Sequence, residues 1–140
     1  MNPYLRNALV IMGGLFLGSL VNGGIVSISS SMVEVPAGVD FEDMDSYKAH
    51  IKEFSGKYFA IIFLAHALGT LVAAYFVARL VTKAPAFFGF MMGVIFLLGG
   101  LYMAWILPAP LWFEALDLLG AYLPMALIGN VLARRKRSDW

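Results

Sequence analysis

Between Arg6 and Glu34 the chain carries no charged side chain, and the same holds between Lys83 and Glu114. The stretch from Lys57 to Arg79 is interrupted only by His66, and the stretch from Asp117 to Arg134 carries no charged side chain. A hydrocarbon core of ~30 Å is crossed by ~20 mainly apolar residues in a helix. In hydrocarbon such a segment must also satisfy its backbone groups internally, which a helix does. Four spans are therefore expected, at about 8–33, 58–81, 86–107 and 111–133. The 140 residues are 61% hydrophobic and 14% charged, against roughly 45–50% and 25% in soluble domains. That balance excludes a soluble globule. The absence of cysteine excludes disulfide scaffolds, CxxC redox chemistry and cysteine zinc sites.

Two connections are very short, Thr82-Lys83-Ala84-Pro85 and Pro108-Ala109-Pro110. Their prolines end one helix and open the next, because proline lacks an N–H and restrains its predecessor. Short connections make sequential helices antiparallel neighbours. The expected fold is an all-α membrane protein, an up-down-up-down four-transmembrane-helix bundle forming a single domain over 1–140. An N-region with only Arg6, ahead of an apolar run longer than a signal peptide's, marks the first span as a retained helix. Basic residues gather at one end: Arg6, Arg79, Lys83, Arg134, Arg135, Lys136 and Arg137, seven against Lys48, Lys52 and Lys57 on the other side. The positive-inside rule then puts both termini in the cytoplasm. The basic tail, 134–140, fixes the last helix end inside and can meet anionic lipid. With ten basic residues against nine acidic, no nucleic-acid partner is expected.

The loop 34–57 is the one sizeable polar segment. Met44, Tyr47, Ile51 and Phe54 recur at helical spacing, which predicts a short amphipathic helix on the outer surface or capping the helices. Asp40 and Asp43 mark its start and Gly56 its stop. The acidic group Asp40, Glu42, Asp43 and Asp45 lacks the spacing and glycine of a calcium loop, and its charges suit a helix N-terminus.

Small residues let helices approach closely in lipid. Span one offers two stripes, Gly14/Gly18/Asn22 and Ser19/Gly23/Ser27/Ser31. Span two offers Ala65/Gly69/Ala73, and span three Gly89/Gly93 and the Gly99-Gly100 pair. The surplus stripe suits a homo-oligomer or a partner membrane protein.

Ionisable groups within apolar spans are costly and mark candidate functional positions. His66 lies nine residues past Lys57, ~13 Å deep at 1.5 Å per residue. Asn22, ~16 Å below Val33 by the same rise, is placed to hydrogen-bond it. Glu114 and Asp117 share one helix face, and Tyr102 lies at a depth from which it can donate to Asp117. Trp105 and Trp112 read as interfacial anchors. Aligning the stretch around His66 with that around Asp117 suggests two related helical hairpins with both residues facing one site. Pro124 should bend span four beneath them. His66, Asp117, Glu114, Asn22 and Tyr102 are thus the candidates for ligand binding or proton relay, since imidazole titrates near physiological pH. With His50 on the loop as the other histidine, no metal site is expected, and no cofactor is specified.

The segments LAHALGTLVAA, PAGVD and PAPLWFEALDLLGAYLPMALIG resemble an uncharacterised family of small bacterial four-span inner-membrane proteins. The resemblance implies a multi-pass protein of the bacterial inner membrane and carries no activity onto His66 or Asp117. Three function classes remain. The first is binding or translocation of a proton or small lipophilic solute through a polar pocket in the outer half. The second is an accessory or scaffold subunit, and the third an enzyme acting on a lipid or quinone-like substrate.

Overall fold

A computed structural model describes residues 2–137, so the end of the basic tail, 138–140, lies outside the described residues. The chain is helical, and no strand occurs among the described residues. Helix α1 spans Pro3–Met32, α2 Met44–His50, α3 Gly56–Leu80, α4 Pro85–Ile106, α5 Leu111–Gly120 and α6 Leu123–Arg137, with one 3-10 turn at Ile51–Glu53. Four helical segments are long and apolar enough to cross a membrane: α1, α3, α4, and α5 together with α6.

Caps set the boundaries. Asn2 accepts from the Tyr4 N–H at 2.9 Å, with Pro3 as the first helical residue, a favoured start for a helix. Helix α1 therefore begins five residues before the apolar run does. Asp43, rather than Asp40, caps α2 by accepting from the Asp45 N–H. The expected stop at Gly56 is corrected. The loop helix ends at His50, Ser55 caps α3, and Gly56 is the first residue of α3. Ser55 accepts from the Tyr58 N–H, so the serine satisfies a donor that glycine could not.

Helix α3 is the hub. It packs against α1, α4 and α6, whereas α1 and α4 touch one another little. Its buried face is made of small residues, among them Ala65, Gly69, Ala73 and Val77. Gly14 and Gly18 of α1 are buried against it. A Cβ on Gly18 would stand 2.6 Å from the Gly69 carbonyl oxygen, and one on Gly69 would stand 2.7 Å from that of Gly18. The backbones cross here with no room for a side chain, which is how helices without a hydrophobic drive between them gain contact. On the other side of α3, Gly129 of α6 meets the Leu71 carbonyl, and Gly93 of α4 meets Ala126 of α6. The second stripe of α1, Ser19/Gly23/Ser27/Ser31, is exposed.

At one end, here the terminal end, Arg6 donates to the Leu80 carbonyl and Asn7 accepts from Thr82. At the other, the loop end, Lys57 donates to the Met32 carbonyl. Tyr47, Ile51 and Phe54 of the 33–55 segment pack onto Tyr58 and Phe59 of α3 and Phe113 of α5, while Met44 is exposed. The Tyr47 and Tyr58 hydroxyls are hydrogen-bonded. Burial, with that hydrogen bond adding to it, holds the Tyr47 phenol above its ordinary range, so it stays neutral.

Span four is broken. Helix α5 ends at Gly120 and α6 begins at Leu123. Pro124 has no N–H to return to the Gly120 carbonyl, and the Ala121 N–H closes α5 on the Asp117 carbonyl at 2.9 Å.

The α1–α3 crossing yields a direct test. Gly18→Ala should destabilise the protein by about 1–3 kcal/mol through overpacking. Gly24→Ala, where an added Cβ meets nothing within 4 Å, should be neutral or stabilising by up to about 1 kcal/mol. Denaturant unfolding in mixed micelles reads both.

Candidate functional site

His66 stands on the face of α3 turned toward α5, one turn before the Gly69 crossing. Its ring Nδ1 lies 2.8 Å from both carboxylate oxygens of Asp117. Tyr122 donates to Asp117 Oδ2 at 2.9 Å, and its hydroxyl oxygen lies 3.0 Å from His66 Nδ1. Thr70 donates to the His66 carbonyl at 2.8 Å. An ionised carboxylate only accepts, so beside it Nδ1 carries the hydrogen. That leaves Nε2, which takes part in no hydrogen bond among the described residues.

Three elements bring these groups together. Helix α5 presents Asp117, the break after Gly120 turns Tyr122 back toward it, and α4 supplies the space. A Cβ on Gly100 would lie 2.8 Å from Tyr122 Cε2, so only a residue without a side chain fits beside that ring. Tyr122 and Asp117 are almost wholly buried. The His66 side chain keeps 19% exposure against 7% for Asp117.

That exposure faces a cavity of about 370 Å³ at the loop end. Helices α1 and α4 form opposite walls through Asn22, Gly23 and Val26 on one side and Gly100, Met103 and Ala104 on the other. The floor is α3 and α5, and the loop residues Tyr47 and Ile51 cover it. The lining is mainly apolar, with His66, Asp117, Glu114 and Asn22 as its polar members away from the Tyr47–Tyr58 pair. Toward the terminal end the walls converge, where Phe96 of α4 leans on Gly18.

Four of the five residues singled out in the sequence, His66, Asp117, Glu114 and Asn22, line this one cavity. Tyr102 does not. It is exposed and packs near Trp105, because its position on α4 points away from α5. The expected Tyr102–Asp117 bond is made by Tyr122 instead. The expected Asn22–His66 bond is also absent: Asn22 Oδ1 is buried without a partner, since His66 Nδ1 is engaged by Asp117. Glu114 is half-buried in the first turn of α5.

Tyr122 is the residue that sequence reasoning missed. In an unbroken helix a residue five positions after Asp117 points ~140° away from it. Only the break at 121–122 makes the two meet, and the tyrosine two residues before Pro124 was the available sign. Asn130 was missed as well; it is buried and donates to the Ala86 carbonyl at 3.0 Å, beside Gly89 and away from the cavity. Among the described residues no group of three His, Cys, Asp or Glu is placed to hold a metal ion.

The chain finds no match among protein-family models, curated proteins or solved structures.

The arrangement can hold and pass a proton. With Nδ1 tied to a carboxylate, the ring is held in one orientation and Nε2 is left as the atom free to exchange a proton. A double-mutant cycle on His66→Ala and Asp117→Asn should give a coupling of about 1–2 kcal/mol, the upper range for hydrogen bonds between membrane helices. Tyr122→Phe should cost about 1.5–3 kcal/mol by the loss of one bond to a charged acceptor. Unfolding in mixed micelles measures all three.

Proposed function

We propose that this is a small polytopic membrane protein that binds or translocates a proton or a small lipophilic solute at the His66–Asp117–Tyr122 cluster. The observation that carries the reading is the free Nε2 of a carboxylate-held histidine at the edge of a mainly apolar cavity. Ligand sites have this composition: apolar walls with a few polar groups that fix orientation. An ionisable pair retained within apolar spans also fits solute or proton pathways.

The setting we propose is the bacterial inner membrane, in an up-down-up-down arrangement with both termini cytoplasmic. The Arg6–Leu80 and Lys57–Met32 hydrogen bonds support the alternation of helices. Arg6, Arg79 and Lys83 at the terminal end support the orientation by the positive-inside rule. The cavity then lies in the outer half, under a short amphipathic helix that turns Tyr47 inward.

The exposed stripe of α1 favours a second reading, an accessory or scaffold subunit that docks another membrane protein or a second copy. Ser27 and Ser31 donate to carbonyls of their own helix, so the stripe presents small, internally satisfied groups that let a partner helix approach closely.

Native mass spectrometry of the protein released from its own membrane tests both. The binding reading predicts a reproducible non-protein mass on the wild type that is lost in a folded His66→Ala variant. A wild type carrying no such mass, or a variant that keeps it, overturns that reading. A second protein co-purifying at fixed stoichiometry would put the accessory reading in its place.

A further inference from the structure

Acidic groups outnumber basic ones in the cavity lining. Glu114 and Asp117 are its two carboxylates and His66 its one basic group, and none of the lining residues is lysine or arginine. With both carboxylates ionised, the lining carries a net negative charge whether His66 is neutral or protonated. Asp117 is already satisfied by His66 and Tyr122. Glu114 forms no salt bridge or side-chain hydrogen bond among the described residues, where the one ion pair is His66–Asp117. The nearest lysine in sequence to the α3 floor, Lys57, is engaged with the Met32 carbonyl and is exposed.

The N-terminus of α5 favours negative charge at Glu114 but gives it no counter-ion. A half-buried carboxylate among apolar side chains is costly without one. The surrounding walls suit a cation in particular. Tyr47, Tyr58, Phe59 and Phe113 all line the cavity, with Phe59 and Phe113 rings 4.8 Å apart, and aromatic faces attract cations more strongly when water is excluded.

We infer that the cavity takes a lipophilic organic cation, an aromatic or alkyl ammonium-type molecule whose charge pairs with Glu114 and whose apolar body lies against the aromatic rings. The inference rests on the solute-binding reading above and specifies its ligand class. His66 Nε2, when unprotonated, is a further acceptor for an N–H on that ligand. Glu114 is then the residue that sets specificity by charge.

Tetraphenylphosphonium and tetraphenylborate, nearly equal in size and opposite in charge, separate the two levels of the claim. Titration calorimetry in zwitterionic micelles, with protein-free micelles subtracted, should show the wild type binding the cation at least about tenfold more tightly than the anion. Glu114→Gln should weaken the cation about tenfold, the effect of losing ~1.4 kcal/mol, and leave the anion unchanged or improved. Equal or tighter binding of the anion, or an undiminished cation affinity in Glu114→Gln, overturns the cation inference while leaving a lipophilic solute site standing. Binding of neither ion overturns both. If Glu114→Gln does not fold, the ratio of the two ions on the wild type decides the matter alone.

Discussion

A polar side chain in an apolar helix assembly must find its partner within the protein, because lipid offers none. His66 is the residue on which this constraint falls hardest. Its solution, Asp117 on both carboxylate oxygens with Tyr122 closing the cluster, fixes how span four meets α3. The break between α5 and α6 follows the same need, since it turns Tyr122 onto Asp117. Gly100 on α4 follows in turn, because the ring needs the space a side chain would fill.

The cavity arises from a contrast between the two ends. From Gly14 to Gly18, α1 lies against α3 backbone to backbone, and Phe96 fills the angle between α1 and α4. Beyond Asn22, α1 offers Gly23 and Val26 while α4 offers Gly100 and Ala104, and these do not meet across the gap. Rings from the loop and from α3 and α5 cover the space without filling it. Small residues thus do opposite things in one molecule: they close the terminal half and leave the loop half open.

Much of this was legible in the residues. Long charge-free runs marked the four apolar helices, and the small-residue stripes included Gly14/Gly18 and Ala65/Gly69/Ala73, which the structure packs together. Depth arithmetic put Asn22 and His66 at one level, and the three-residue spacing of Glu114 and Asp117 put both on one wall. What it did not reach was the partnering. Depth assigned the donor role to Tyr102, and no reading singled out Tyr122, which an unbroken helix would place ~140° away from Asp117. Depth alone likewise paired Asn22 with His66, whereas the azimuth of α3 turns the imidazole to α5. The loop boundary failed for a local reason, since glycine after serine reads as a stop when the serine is a cap.

The proposed role of the site depends on one atomic arrangement, a histidine that gives its Nδ1 hydrogen to Asp117 and keeps Nε2 for the cavity. Nitrogen-15 magnetic resonance of histidine-labelled protein in bilayers, with His66 assigned by comparison with His66→Ala, reads that arrangement directly. The structure predicts a His66 signal with Nδ1 protonated, either as the neutral Nδ1–H form or as the imidazolium, and a change in that signal in Asp117→Asn. A neutral Nε2–H ring with bare Nδ1, unaltered by Asp117→Asn, would contradict it.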